Sequence, residues 1–171
     1  MLFRSIAILA KLGFEVAAVS GKPELQPWLK ELGAAQILGR DALPGGDRPL
    51  EKAVWGGAVD NVGGDMLAQI TRTLVPYGNI AGIGLAGGTD LHTTVMPFIL
   101  RGVGLLGCES VHIAQPLRGE LWQHLATDWR VDEPERLLGG EITLDALPEV
   151  FERMLAGGTH GRMLVTPTAA G

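Results

Sequence analysis

Short apolar blocks, each closed by glycine, proline or charge, recur along the chain and alternate between helical and extended spacing. Residues 6–12 form a helix-prone run that Gly13 can end, because glycine adopts the left-handed conformation after a last turn. Residues 14–19 then read as a buried strand. Pro23 suits a first helical turn, and Leu25, Trp28, Leu29 and Leu32 follow at three- and four-residue spacing up to Gly33. Residues 34–38 predict the next strand. Further on, residues 50–55 predict a short helix, and residues 58–62 a strand that runs into Gly63-Gly64. Met66, Leu67, Ile70 and Leu74 mark a helix that Pro76 stops. Residues 77–84 read as a strand whose glycines permit close approach of backbone or ligand, with a loop at 85–88. A short helix around 97–100, a strand at 104–110, a helix over 117–129, an extended piece at 141–144, a helix over 147–155 and a strand at 162–165 complete the pattern. Strand and helix alternate throughout, so the predicted class is α/β with a doubly wound parallel sheet.

Composition narrows the setting. The chain has 171 residues, 46% of them hydrophobic, enough for one core, with no apolar run of membrane-spanning length. Arg4 and Lys11 interrupt the start, no signal-peptide pattern follows, and a cytoplasmic location with no membrane partner is expected. A net charge of −5 without a basic cluster argues against nucleic acid. The single Cys108 excludes an internal disulfide and reads as a buried thiol. His92, His112, His124 and His160 lack ligand spacing, so no metal site is expected.

The chemistry sits at the end of the first predicted strand. Phe14-Glu15-Val16-Ala17-Ala18-Val19 runs into Ser20-Gly21-Lys22, which places hydroxyl, glycine and ammonium where NAD-binding sheets carry an acid for the ribose 2′-hydroxyl. Such an ending favours the 2′-phosphate of NADP. Arg40 falls just past the next strand, on the same rim, where it can share that phosphate. Lys22 by itself also fits a solvated surface lysine, and Leu85 and Ile99 are residue types that usually pack in cores. Asp60 could be a nucleophile or ribose acid, but it reads better as a carboxylate capping the glycine turn after its strand.

Several stretches carry a resemblance: Ala17-Ala18-Val19-Ser20-Gly21-Lys22, Leu32-Gly33-Ala34, Gly39-Arg40-Asp41, Arg48-Pro49-Leu50-Glu51-Lys52, Gly84-Leu85-Ala86-Gly87-Gly88 and Thr93-Thr94-Val95-Met96-Pro97-Phe98-Ile99-Leu100-Arg101. With them, nearly the whole chain resembles the cofactor-binding half of a medium-chain dehydrogenase/reductase. The branch is the NADPH-dependent acrylyl-CoA reductases of the zinc-independent quinone oxidoreductases. The resemblance implies a Rossmann-like doubly wound sheet with NADP as cofactor. It implies that Ser20, Gly21, Lys22 and Arg40 hold the 2′-phosphate, that Leu85 and Ile99 line the cofactor further along, and that Ser110 and Arg162 add contacts. It implies hydride transfer to an α,β-unsaturated acyl thioester such as acrylyl-CoA, with no catalytic residue assigned among these positions, no metal, and a possible homodimer.

A complete member of that family carries a first strand and a glycine-rich turn before this point, and Met1-Leu2-Phe3-Arg4 holds no glycine. The chain therefore reads as a C-terminal fragment that is incomplete at the first strand and expected to be inactive alone. Residues 1–135 would be a partial NADP-binding domain. Residues 136–171 would be a strand-helix-strand return segment that packs on a GroES-like catalytic domain, with Ile142, Leu144, Leu147, Val150, Phe151 and Leu155 partly exposed without it. Two alternatives remain: reduction of a quinone or other enone, which shares every feature above, and a non-catalytic NADP-binding or partner-pairing module, favoured if the short chain binds a companion that supplies the missing strand.

Overall fold

The computed structural model describes residues 2–43 and 46–167. Helix α1 (Leu2–Lys11) turns Ile6 into the core and ends in a glycine cap. Gly13, at φ 86°, donates its N–H to Ala10 O and the next amide, Phe14, donates to Leu9 O, each at 3.0 Å. The cap returns the chain as β1 (Val16–Val19), which pairs in parallel with β2 (Ala34–Leu38) across the crossover helix α2 (Gln26–Glu31). Ile6, Val16, Ala18, Leu29, Leu32 and Ala34 form one buried apolar cluster, joined by Leu137 from far along the chain.

A second parallel sheet has the order β3 (Trp55–Asp60), β4 (Leu74–Gly82), β5 (Gly104–Gly107). Helices α3 (Gly64–Thr73) and α4 (Met96–Arg101) connect its strands, and Ile70, Leu74, Ile80 and Val103 form its own buried cluster. The Arg101 guanidinium fastens this unit, donating to Arg72 O at 2.9 Å, to Leu74 O at 3.0 Å and to Glu51 O. Helix α5 (Gln115–Ala126) follows and buries no residue. The chain closes with β6 (Leu138–Thr143), α6 (Leu147–Leu155) and β7 (Arg162–Thr166), in which β6 and β7 pair in parallel as a separate two-stranded sheet. Trp28 ties this unit to the first cluster: its indole N–H donates to Arg136 O at 2.8 Å and its ring meets His160 edge-on at 5.1 Å.

The architecture is the expected α/β class with parallel sheets. Among the described residues no strand lies between β1 and β3, where a doubly wound sheet carries its central strand. The sheet is therefore in two pieces.

Three expectations are corrected. Residues 50–55 form no helix, because the Glu51 and Val54 amides donate to Arg72 O (3.0 Å) and Thr73 O (2.7 Å) at the end of α3. Pro76 does not stop α3, which ends at Thr73; it lies inside β4 beside Tyr77, whose φ of 62° marks an irregular stretch where the register jumps from Trp55↔Leu74 to Gly57↔Asn79. Cys108 is exposed rather than buried, since it follows a short edge strand with little covering it. In the last unit, α6 turns Val150 inward to 3% exposure, while Phe151 and Leu155 stand out at 53% and 90%. No described helix is long and apolar enough to cross a membrane.

Candidate functional site

Parallel strands deliver their carboxyl ends to one rim, and the chemistry of this chain collects there. The Ser20 amide donates to Leu38 O at 2.9 Å, extending the β1–β2 ladder by one rung and bringing the two strand ends level. Ser20 Oγ accepts the Lys22 amide at 3.1 Å, folding the Ser20-Gly21-Lys22 turn back on itself. Arg40, just beyond β2, lays its guanidinium against Gly21: a Cβ at position 21 would lie 3.2 Å from Arg40 Nε. Glycine therefore lets the guanidinium sit flush with the turn. Lys22 Nζ donates to Thr159 O at 2.7 Å, which occupies one of the three ammonium donors and leaves two.

The middle of the rim is built from backbone. Asp60, 2% exposed, accepts the Val62 amide at 3.2 Å and the Gly63 amide at 2.9 Å through its two carboxylate oxygens, which caps the turn as expected from sequence. Gly63, at φ 70°, forms a bridge with Gly88, and a Cβ there would come within 2.6 Å of Gly88 O. Only glycine permits that approach. The Gly87 amide donates to Val62 O at 2.7 Å, so the loop after β4 is fastened to the loop after β3.

Leu85 lies in that fastened loop at 63% exposure, and Ile99 on α4 at 73%. Neither is used in packing, contrary to the usual habit of these residue types. Ser110, past β5, is exposed, and its carbonyl accepts Arg118 at 2.8 Å. Arg162 opens β7 and reaches a cavity of about 160 Å³ between α1 and β3, whose walls include Arg4, Ser5, Ile8, Val59 and Asn61. The structure thus unites Ser20, Gly21, Lys22 and Arg40, places Arg162 at a separate cavity, and presents Leu85, Ile99 and Ser110 from three separate elements.

Sequence reading missed Thr159, whose carbonyl meets Lys22 from 137 residues away, and missed Arg4, Ser5 and Asn61 at the cavity. No local spacing signals the first. Asn61 had one signal, its place directly after the capping Asp60. Among the described residues no three His, Cys, Asp or Glu side chains come together as a metal-holding group.

Parallel strands, crossover helices and a glycine-lined rim at the strand ends define a Rossmann-like nucleotide-binding fold. No family model matches the chain. The acrylyl-CoA reductase AcuI of Ruegeria pomeroyi is 44% identical over 164 residues, which are 95% of this chain and 49% of that protein. The crystal structure of the yhdH oxidoreductase from Salmonella enterica in complex with NADP superposes with a TM-score of 0.88 at 42% identity, over 95% of this chain and 49% of that one. Bacillus subtilis yhfP, solved with NAD bound, superposes with a TM-score of 0.90 at 35% identity, over 95% of this chain and 50% of that one. The chain resembles the medium-chain dehydrogenase/reductases over nearly its whole length and spans about half the length of the curated relatives it matches. Within the family its similarity is to proteins named acrylyl-CoA reductase and quinone oxidoreductase.

Proposed function

We propose that this chain holds NADPH by its adenosine 2′-phosphate and forms the cofactor-binding half of a cytoplasmic reductase acting on an α,β-unsaturated acyl thioester such as acrylyl-CoA. The observation that carries the reading is the turn at Ser20-Gly21-Lys22 with Arg40 laid flat against its glycine. Guanidinium, two free ammonium donors and a hydroxyl suit a dianionic phosphate, and no carboxylate stands in the turn to repel it. The residues present therefore fit the adenosine end of the cofactor. Leu85 and Ile99, both exposed, would cover the cofactor further along and keep water from it, with Ser110 and Arg162 as polar contacts. When bound, NADPH supplies the hydride. Residues 1–135 form the nucleotide-binding part in this reading and residues 136–171 return to the substrate-binding half. None of the present residues is assigned as a catalytic acid, so the chain alone should not oxidise NADPH in the presence of acrylyl-CoA.

Titration of the chain with adenosine 2′-phosphate and adenosine 5′-phosphate tests the cofactor reading without needing the whole dinucleotide site. The 2′-phosphate should bind more tightly. Lys22→Ala and Arg40→Ala should each weaken it by about tenfold or more, the worth of one charged hydrogen bond, and leave the 5′-phosphate little changed. Equal losses for both probes would remove the assignment.

A second reading, reduction of a quinone or other enone, draws support from the Bacillus subtilis relative, 36% identical and named a putative quinone oxidoreductase. Substrate profiling of the chain joined to its complementary half separates the two, and light scattering on the same sample tests the homodimer that the resemblance implies.

A further inference from the structure

We propose that His160 is a positioning residue for the 2′-phosphate site: by packing on Trp28 it seats the Thr159 carbonyl, and that carbonyl fixes where the Lys22 ammonium stands. The inference rests on the NADPH reading and extends it to the loop between α6 and β7, 137 residues from Lys22 in sequence.

The main chain and the side chain of Lys22 are held by different parts of the molecule. Its amide donates to Ser20 Oγ at 3.1 Å and its carbonyl accepts the Leu25 amide at 3.1 Å, so the turn itself sets the backbone. The long side chain has one hydrogen-bond partner among the described residues, Thr159 O at 2.7 Å. A lysine left loose must lose rotamer freedom when it binds an anion, and one already ordered does not meet that cost. The carbonyl has no net charge and takes only one ammonium donor, so it orders the group without neutralising it.

Thr159 and His160 lie between two anchored points. On one side Gly157, at φ 71°, and Gly158 close the end of α6, donating to Met154 O at 2.9 Å and to Arg153 O at 2.7 Å. On the other, Gly161, at φ 63°, lies so near the start of β6 that a Cβ would come within 2.6 Å of the Gly139 nitrogen and 2.8 Å of Leu137 O. Between them the His160 ring meets the Trp28 ring edge-on, with centroids 5.1 Å apart. The indole is held independently, its N–H bonded to Arg136 O at 2.8 Å and its ring 5.5 Å from that of Phe3. Trp28 is therefore a fixed wall on α2, and His160 transfers that fixity to the carbonyl one residue before it.

The experiment titrates the 171-residue chain and its variants with adenosine 2′-phosphate and adenosine 5′-phosphate, and follows acetylation of Lys22 by acetic anhydride in the nucleotide-free protein by mass spectrometry. His160 is exposed in a loop, so its replacement leaves both apolar clusters intact. His160→Ala should weaken the 2′-phosphate by about three- to tenfold, the range for ordering one long side chain, with the 5′-phosphate unchanged. Lys22 should be acetylated several-fold faster in that variant. His160→Phe keeps a ring for Trp28 without the imidazole and should match the parent in both assays. Combined with Lys22→Ala, His160→Ala should cost nothing further. Four results overturn the inference: a parent-like 2′-phosphate affinity or acetylation rate in His160→Ala, equal losses for the two nucleotides, an additive double variant, or a His160→Phe loss as large as that of His160→Ala, which would make the imidazole a direct ligand. Parent-like 2′-phosphate affinity in Lys22→Ala would instead remove the NADPH reading, and this inference with it.

Discussion

Arg101 donates to three carbonyls from the end of α3, the start of β4 and the segment before β3. Arg101→Ala would leave all three without that donor, and urea denaturation should show a loss of about 2–3 kcal/mol, since hydrogen bonds from a charged group are worth more than neutral ones. Cys108 should behave in the opposite manner: exposed and outside the core, it should be alkylated by iodoacetamide in the folded protein at the rate of a small free thiol. Asp132 offers a test by pH. Its hydrogen bond from the Lys11 ammonium, at 2.8 Å, holds the carboxyl below the ordinary carboxylate range. A lowered folded value means that the stabilisation is present above the unfolded value and is lost as pH falls through the folded one. The stability difference between the parent and Asp132→Asn should therefore be visible at neutral pH and vanish in strong acid. At this scale sequence reading succeeded with Asp60, whose partners are two and three residues away, and had no means of finding Thr159 beside Lys22.

Elements were legible where local signals agreed with one another. The apolar spacing of residues 147–155 and the glycine after residue 12 describe α6 and the end of α1 as they occur. The predicted helix at 50–55 failed because its amides are taken by α3, a competition that no window of six residues contains. Pro76 misled for a related reason: proline usually ends a helix, but here it lies in an irregular opening of β4 that also holds Tyr77 at positive φ. The β1 and β2 ends were placed on one rim from strand alternation alone, and the packing of Arg40 on Gly21 followed from that placement.

For the whole molecule, the order of elements was readable from sequence except for the helix expected at 50–55, which does not occur. What could not be read was that each piece of the sheet has its own apolar cluster: one around Ile6, Val16 and Leu32, the other around Ile70, Leu74 and Ile80. Trp28 packs against the first and Trp55 against the second, so each indole reports on one side. Variants retaining only Trp28 or only Trp55 of the four tryptophans should give urea midpoints that differ, and coincident midpoints would show a single folding unit. Distinct midpoints would mean that the two pieces of the sheet open independently, each with the stability of its own cluster.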